Sequence, residues 1–461
     1  MSAIKLAIGK NLSWLSTMKT PFGYAGPVVH YWSNSLDYIG PGTDWRYEGL
    51  ISAFLILHEK TGEKRFLDSA IKAGEFILAN RRRNGGFFFS SFEANPSFEG
   101  IGTPHQSAVV LALIRLADRL KSLGLEYKKF SAAALENLEK IHMEKLWSKE
   151  QQTFFQYGKS RAAGRSNAFV PNKIATACQA FFAMYRHTKQ KRFLDIGLTA
   201  LAYVPSMQCT DNSEWFGGIF QSDDQNKVFS YYTARCIPAL AEGYELSQQE
   251  MFRRTIENAL VFLGSMQNPD GSHNAGFMRF GSVYQKTTLP HFAAGAGDIG
   301  LALEIGKPFG KADSRGVLEW VMQNAGKSGG FFSARGLEYK NRPDAPKKAE
   351  YSWQDALPVV GWNDKALHFL SSVCRNVQDI PKIEFEESQK QCSNGTLIET
   401  RKLLAVEGAE KNWRFEKQKN FSNDPAALKN LFCRIGLLDT PPTDWVARAG
   451  LRILRDSNGR L

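Results

Sequence analysis

The chain has 461 residues, of which 43% are hydrophobic, 23% charged and 12% aromatic, with 39 glycines and 18 prolines. These are the proportions of a globular chain that can bury a large core, and they exclude whole-chain disorder, a fibrous repeat and low complexity. Lys and Arg outnumber Asp and Glu by 58 to 46, a net charge of +12; a field of that sign concentrates polyanions, with plain solubility as its other use. Nucleic acid is disfavoured as the polyanion, because no basic run exceeds Arg81-Arg82-Arg83 and no helix-turn-helix, zinc-finger or RNA-binding signature is present. An acidic saccharide is the remaining candidate.

From the N-terminus, Ile4 to Met18 has the pattern of a first helix, with Lys10 where a secretory apolar core would be. No stretch reaches the roughly 18 apolar residues of a spanning helix. The expectation is therefore a cytoplasmic protein without membrane insertion. Cys178, Cys209, Cys236, Cys374, Cys392 and Cys433 are scattered, with no CxxC pair, and read as reduced thiols. No His, Cys, Asp and Glu set has metal-ligand spacing, so neither a metal nor another cofactor is expected.

The chain repeats. TGEKRFLDSA at 61–70 recurs as TKQKRFLDIG at 188–197, an interval of about two periods of roughly 63 residues. Apolar helices begin near Asp44, Pro104, Pro171, Phe229, Pro290 and Tyr351 at the same half-interval. Each unit reads as a helical hairpin. In the first, Glu48 to Lys60 carries Leu50, Ile51, Phe54, Leu55 and Leu57, Thr61-Gly62 turns the chain, and Phe66 to Asn80 follows. The second helix of a unit runs into a long glycine- and aromatic-rich loop, as at Asn84-Gly85-Gly86-Phe87, Trp215-Phe216-Gly217-Gly218, Asn268-Pro269-Asp270-Gly271 and Gly329-Gly330-Phe331. Such loops suit short β-hairpins gathered on one rim, where sites usually lie.

The segments after the long loops (Ser107–Leu116, Ile174–Met184, Ala234–Leu240, Phe292–Leu303) are apolar nearly all round, as an inner ring requires. Their partners carry charges such as Arg65, Asp68, Lys72 and Glu75 and suit an outer ring. With Ile4–Met18 as the first outer helix, the count is six inner and six outer. The predicted class is all-α, with six helical hairpins.

This grammar, over roughly residues 3–374, resembles the (α/α)6 toroid or six-hairpin architecture of carbohydrate-active enzymes, including polysaccharide lyases and unsaturated-uronyl hydrolases. The resemblance implies cleavage of glycosidic bonds in an acidic oligo- or polysaccharide. The Gln-x-x-Gly-type loops are also similar to those of prenyltransferases and terpene cyclases, although an aspartate-rich metal motif and the Trp that ends those loops are missing. A toroid that binds saccharide or protein without catalysis is a third reading. The expected division is a toroid over 1–375 and an extension over 376–461, with strands near Lys382–Glu386, Thr396–Ile398 and Trp413–Phe415 and short helices over 425–455.

In a toroid the inner-helix N-termini converge on one mouth, where helix dipoles and free N–H groups favour anions. The polar residues at those starts are Asp44, Trp45, Arg46, Tyr47 and Glu48, then Thr103 and His105, Asn172 and Lys173, Tyr231, Tyr232 and Arg235, His291, and Trp353 with Asp355. Trp215 adds a loop aromatic. Aromatics stack on sugar rings, and cations and amides suit carboxylates. Asp44 and Thr103 are equally good N-caps. Arg235 and Lys173 interrupt apolar helices, and a buried charge needs a partner. For β-elimination, Arg235, Asn172 and Arg46 would neutralise a uronate while His105 and Tyr231 or Tyr232 move the protons. For hydrolysis, two carboxyl groups would be drawn from Asp44, Glu48, Glu93, Glu99, Asp223, Asp224 and Asp355. The expectation is elimination, with His105, Tyr231, Tyr232 and Arg235 catalytic.

Overall fold

The computed structural model describes residues 3–17, 19–20, 23–24, 26–30, 35–39, 45–87, 105–156, 168–288, 290–326, 329–335, 360–375, 377–378, 380–381, 384–391, 396–405, 414–420 and 452–455. The helices run in chain order α1 (Ala3–Thr17), α2 (Arg46–Thr61), α3 (Lys64–Ala79), α4 (His105–Ser122), α5 (Lys128–Asn137, continuing as a π-helix over Leu138–Leu146), α6 (Pro171–Thr188), α7 (Lys191–Leu201), the short α8 (Tyr203–Ser206), α9 (Ser230–Ser247), α10 (Glu250–Met266), α11 (Ala296–Gly306), α12 (Arg315–Gln323) and α13 (Val360–Val373).

The contacts close a ring. Helix α2 packs on α4, α4 on α6, α6 on α9, α9 on α11, α11 on α13, and α13 back on α2. Outside it, α3, α5, α7, α10 and α12 each pack on the inner helix that precedes them in the chain, and α1 packs on α13. This is the (α/α)6 toroid. Its two helix classes differ as the sequence requires: α4 buries every residue from His105 to Ile114, whereas α3 exposes Asp68, Lys72 and Glu75 and buries Phe66, Leu67, Ala70, Phe76 and Ile77. Among the described residues no helix is long and apolar enough to cross a membrane.

At one end of the ring three of the inner–outer junctions are tight left-handed caps. The Thr61 hydroxyl donates to the Leu57 carbonyl at 2.7 Å and accepts the Glu63 amide at 3.0 Å around Gly62 at φ 72°. Thr188 and Ser247 repeat the device around Lys189 and Gln248, both also at positive φ. The hydroxyls satisfy backbone groups that the helix ends leave open.

The other end is built by the long loops, and each is docked on the next outer helix round the ring. Gly217 and Gly271 lie at φ +81° and +85°, and a Cβ there would stand 2.0 Å from the Asn258 carbonyl oxygen of α10 and 1.9 Å from that of Gly316 in α12. Both positions therefore require glycine for backbone conformation and for space. A side-chain clamp recurs as well. Asn137 donates to the Gly85 carbonyl and to Gln106, whose amide pairs with Phe87, and Asn11 donates to the Gly329 carbonyl and to Asn363, whose amide pairs with Phe331.

Two expectations need correction. The fifth inner helix begins at Ala296, not near Pro290, because His291 and Phe292 pair as a strand with Arg335 and Ala334, and the Trp320 indole donates to the Phe292 carbonyl. In the C-terminal segment, Glu384–Gln391, Thr396–Ala405, Arg414–Asn420 and Arg452–Arg455 form a four-stranded antiparallel sheet in sequential order. Arg452–Arg455 is thus a strand held by Glu416–Lys419, where a helix was expected. The rest of 425–451, and the inner-helix start near Tyr351, lie outside the described residues.

Candidate functional site

At the N-terminal end of the ring the first turns of α2, α9 and α13 bring aromatic rings together. Trp45 meets Trp362 edge-on at 5.3 Å between centroids, Trp362 lies 5.5 Å from Phe292, and Tyr231 lies 4.8 Å from Phe292 and 4.2 Å from Tyr232. Tyr231 also meets Trp362, at 6.1 Å, so these rings form one cluster across three inner helices. The Lys365 ammonium stands 5.4 Å from the Trp45 ring centre.

One turn further in, the axis is filled by charge. Arg235 follows Tyr231 by four residues and shares its inward face. Its guanidinium grips Glu48 at 2.6 Å and reaches Asp298 at 3.3 Å. Glu48 also receives Lys365 at 3.0 Å and Arg115 at 3.5 Å, and Lys365 lies 3.0 Å from Asp364. Four inner helices, α2, α9, α11 and α13, are pinned across the ring by this lattice, and α4 joins through Arg115.

Burial alone would raise the Glu48 carboxyl, but Arg235, Lys365 and Arg115 outweigh it and hold Glu48 well below the usual carboxylate range. Asp364 goes the other way. It is fully buried against Gly49, and burial with the nearby Asp298 and Glu48 charges pushes it well above its ordinary value despite Lys365. Burial would lower Lys365, and the Asp364 and Glu48 carboxyl groups overcome that. Among the described residues, no three His, Cys, Asp or Glu side chains converge as a metal site would require.

The other sequence candidates are distributed unevenly. Arg46 and Tyr47 are buried, and both hold Tyr24, Arg46 Nη1 through its carbonyl at 2.8 Å and the Tyr47 hydroxyl through its amide at 3.1 Å. His105 is buried at the start of α4. Asn172 and Lys173 are half-buried in the first turn of α6, and Asn172 Oδ1 makes no hydrogen bond among the described residues. Trp215 packs 4.5 Å from Tyr284 and 5.6 Å from Phe277, in the hairpin of Gly276–Phe280 and Val283–Thr287. His291 is half-buried beside the Ser272 hydroxyl, and burial lowers its pKa. Asp223 and Asp224 are exposed in a turn. Asp44, Thr103, Trp353, Asp355, Glu93 and Glu99 lie outside the described residues.

Lys365, Asp364, Asp298, Arg115 and His368 were not among the candidates. The signal for them was present: each is an ionisable residue in an apolar inner-helix segment, as Arg235 is, and the same need for a buried partner applies to all.

No family model matches the chain, and no curated protein matches it in sequence. Solved structures do match in shape. An unsaturated glucuronyl hydrolase specific for heparin superposes with a TM-score of 0.58 at 11% identity, over 82% of this chain and 98% of its own. An unsaturated glucuronyl hydrolase from a Bacillus species, responsible for the degradation of glycosaminoglycan, gives 0.56 at 14% identity over 81% and 97%. Cellobiose 2-epimerase from Bacillus thermoamylovorans gives 0.55 at 12% identity over 79% and 99%. At such identities the likeness is one of fold, and the fold these enzymes share with this chain is the (α/α)6 toroid.

Proposed function

We propose that the protein is a carbohydrate-active enzyme that cleaves glycosidic bonds in a uronic-acid-containing saccharide by β-elimination at the N-terminal end of the ring. The observation that carries this reading is the aromatic cluster of Trp45, Tyr231, Tyr232, Phe292 and Trp362 above the charge lattice. Flat apolar faces with hydroxyls at their edges bind pyranose rings, and a phenol in that cluster is a proton-transfer group.

Elimination needs three tasks: neutralising the carboxylate, removing the proton at C5 and protonating the leaving oxygen. Arg235 is occupied by Glu48 and Asp298, so its part is to position α9 and its tyrosines. Asn172 and Lys173, at the N-terminus of α6, take the uronate carboxylate, with the helix dipole in support. His105 and Tyr231, with Tyr232 beside it, move the protons. The described carboxyl groups near the axis favour elimination over hydrolysis, because Glu48 and Asp298 are paired and Asp364 is buried, while hydrolysis requires two carboxyl groups free to flank a bond.

Hydrolysis is the second reading. It is favoured by the activity named for two of the neighbours and by the engagement of Arg235 within the protein. The test is a panel of uronic-acid polymers and oligosaccharides, followed by ultraviolet absorbance of the unsaturated uronyl product and by reducing ends. Elimination raises both, hydrolysis raises reducing ends alone, and silence in both leaves a toroid that only binds. On an active substrate, Tyr231→Phe and His105→Ala lower kcat by roughly 10²-fold. If those variants keep full activity while Asp44→Asn or Asp355→Asn is inactive, the elimination mechanism is wrong.

A further inference from the structure

The lattice has a second face. Beneath it, toward the tight-cap end of the ring, lies a cavity of about 720 Å³ whose floor is Glu48, Arg235 and Asp298. Its outlet is formed by the last turns of the inner helices, at Gln248 after α9, Ile305 in α11 and Ser372 in α13. The aromatic cluster belongs to the first turns of the same helices, so cavity and cluster open at opposite ends of the ring. A volume of this size is ample for a small organic ligand.

The cavity combines an apolar wall with a charged floor. Leu301, Ile305, Pro308 and Phe309 line one side. On the other side Arg115 donates through Nη1 to the Ser52 hydroxyl at 2.8 Å, lies 3.5 Å from Glu48, and keeps 29% of its side chain exposed. Beside it, His368 lines the cavity with a buried Nδ1 that has no hydrogen-bond partner among the described residues. The acidic residues of the wall are already matched: Glu242 takes Arg186 and Gln179, and Glu304 takes Lys307 and the Ser314 hydroxyl. Glu245 is at the outlet, 73% exposed.

We propose that this cavity binds a small monocarboxylate with an apolar body, its carboxylate paired with Arg115 and its body laid on Leu301, Ile305, Pro308 and Phe309. The pairing of the floor supports an anion at Arg115. Arg235 is held by Glu48 at 2.6 Å and by Asp298 at 3.3 Å, and Lys365 by Glu48 and Asp364 at 3.0 Å each, whereas Arg115, which lines the cavity, comes no nearer than 3.5 Å to its carboxylate partner, Glu48. A ligand carboxylate in the cavity supplies Arg115 with a close partner. A loosely paired charge in a low-dielectric site favours that partner strongly. His368, held neutral with a pKa of about 3 by burial and by Arg115, adds hydrogen-bonding capacity without competing for the anion. Neither the ligand class nor the position depends on the reaction proposed for the other end.

Calorimetric titration with hexanoate, hexanol and hexylamine tests this, because the three share a tail and differ in charge. Hexanoate should bind about tenfold more tightly than hexanol, with hexylamine weakest. Arg115→Gln should remove roughly that tenfold advantage and leave hexanol unchanged. Since Arg115 also touches Glu48, a second variant guards against misfolding: Ile305→Trp fills the outlet from an exposed position and should abolish hexanoate binding. Tyr231→Phe, at the opposite end, should leave it unaltered. The proposal is overturned if hexanoate shows no saturable binding, if hexylamine binds as well as hexanoate, or if Ile305→Trp retains full affinity.

Discussion

The two ends of the ring are joined by the same six inner helices yet are built by different means. At the tight-cap end a hydroxyl and a left-handed residue turn three of the hairpins, and the cavity is lined mostly by helical side chains. At the other end, long loops are pinned to neighbouring outer helices by glycines and amide clamps, and aromatic rings cover the axis. Between them lies one layer of charge. The difference teaches that the backbone constraint and the ionic constraint reside in separate places: the loop end depends on the absence of a Cβ, and the middle depends on charge matching.

The largest expected effect is on that middle layer. Glu48→Ala removes the carboxylate that receives Arg235, Lys365 and Arg115 at once. Removing one partner of a buried ionic group strands the others, at a cost of about 3–5 kcal/mol. Denaturant unfolding monitored by circular dichroism measures it, with Glu75→Ala, which breaks an exposed pair with Lys129, as the control near zero. A loss of less than about 1 kcal/mol for Glu48→Ala would mean that water already screens the lattice and that the two ends are not separated by it.

Next in size is a pair of glycine substitutions that sets one end against the other. Gly217→Ala drives a methyl into the Asn258 carbonyl oxygen, whereas a Cβ at Gly62 meets nothing within 4 Å. Both residues have positive φ, so both variants pay the left-handed penalty of roughly 1 kcal/mol. Only Gly217→Ala adds the clash, for a total of about 2–4 kcal/mol. Equal losses in thermal unfolding would show that the loop shifts freely on α10, and the contrast between the ends would fail.

How far the sequence announces these features follows from their physics. Hairpin period, inner and outer helix classes and the loop rim are local patterns, so they are legible, and four inner helices, α2, α4, α6 and α9, begin within two residues of where apolar periodicity and turn residues place them. The exception is α11, whose start at Ala296 follows a strand, His291–Phe292, paired with residues some forty positions on, which no local pattern contains. At the site, the shared inward face of Tyr231 and Arg235 could be read from their four-residue spacing. What Arg235 holds could not, since Glu48 and Asp298 come from distant helices and the ring's closure alone brings them together. The cavity was invisible for the same reason, because it is bounded by helix ends that carry no common motif.

The smallest effect concerns buried imidazoles, which are divided between the ends. His142, whose ring bonds Ser107 at 2.9 Å, and His273 belong to the loop end, each lowered to about 4 chiefly by burial, and His368 belongs to the cavity. For a base whose folded pKa lies below its unfolded value of about 6.5, the unfolded chain takes up the proton first. Stability is then intact above pH 6.5 and falls as pH drops from there toward the folded pKa. Asp364, raised by burial, acts in the opposite sense, but it is one group against three, and Glu48 loses its contribution only below the ordinary carboxylate range. Unfolding free energy should therefore decline between pH 7 and 5, and His142→Gln should flatten the decline by up to one proton, at most about 1.4 kcal/mol per pH unit. If His142→Gln and His273→Gln both leave the slope unchanged while His368→Gln flattens it, acid sensitivity resides in the cavity end alone, where the ring opens to water between its helix termini.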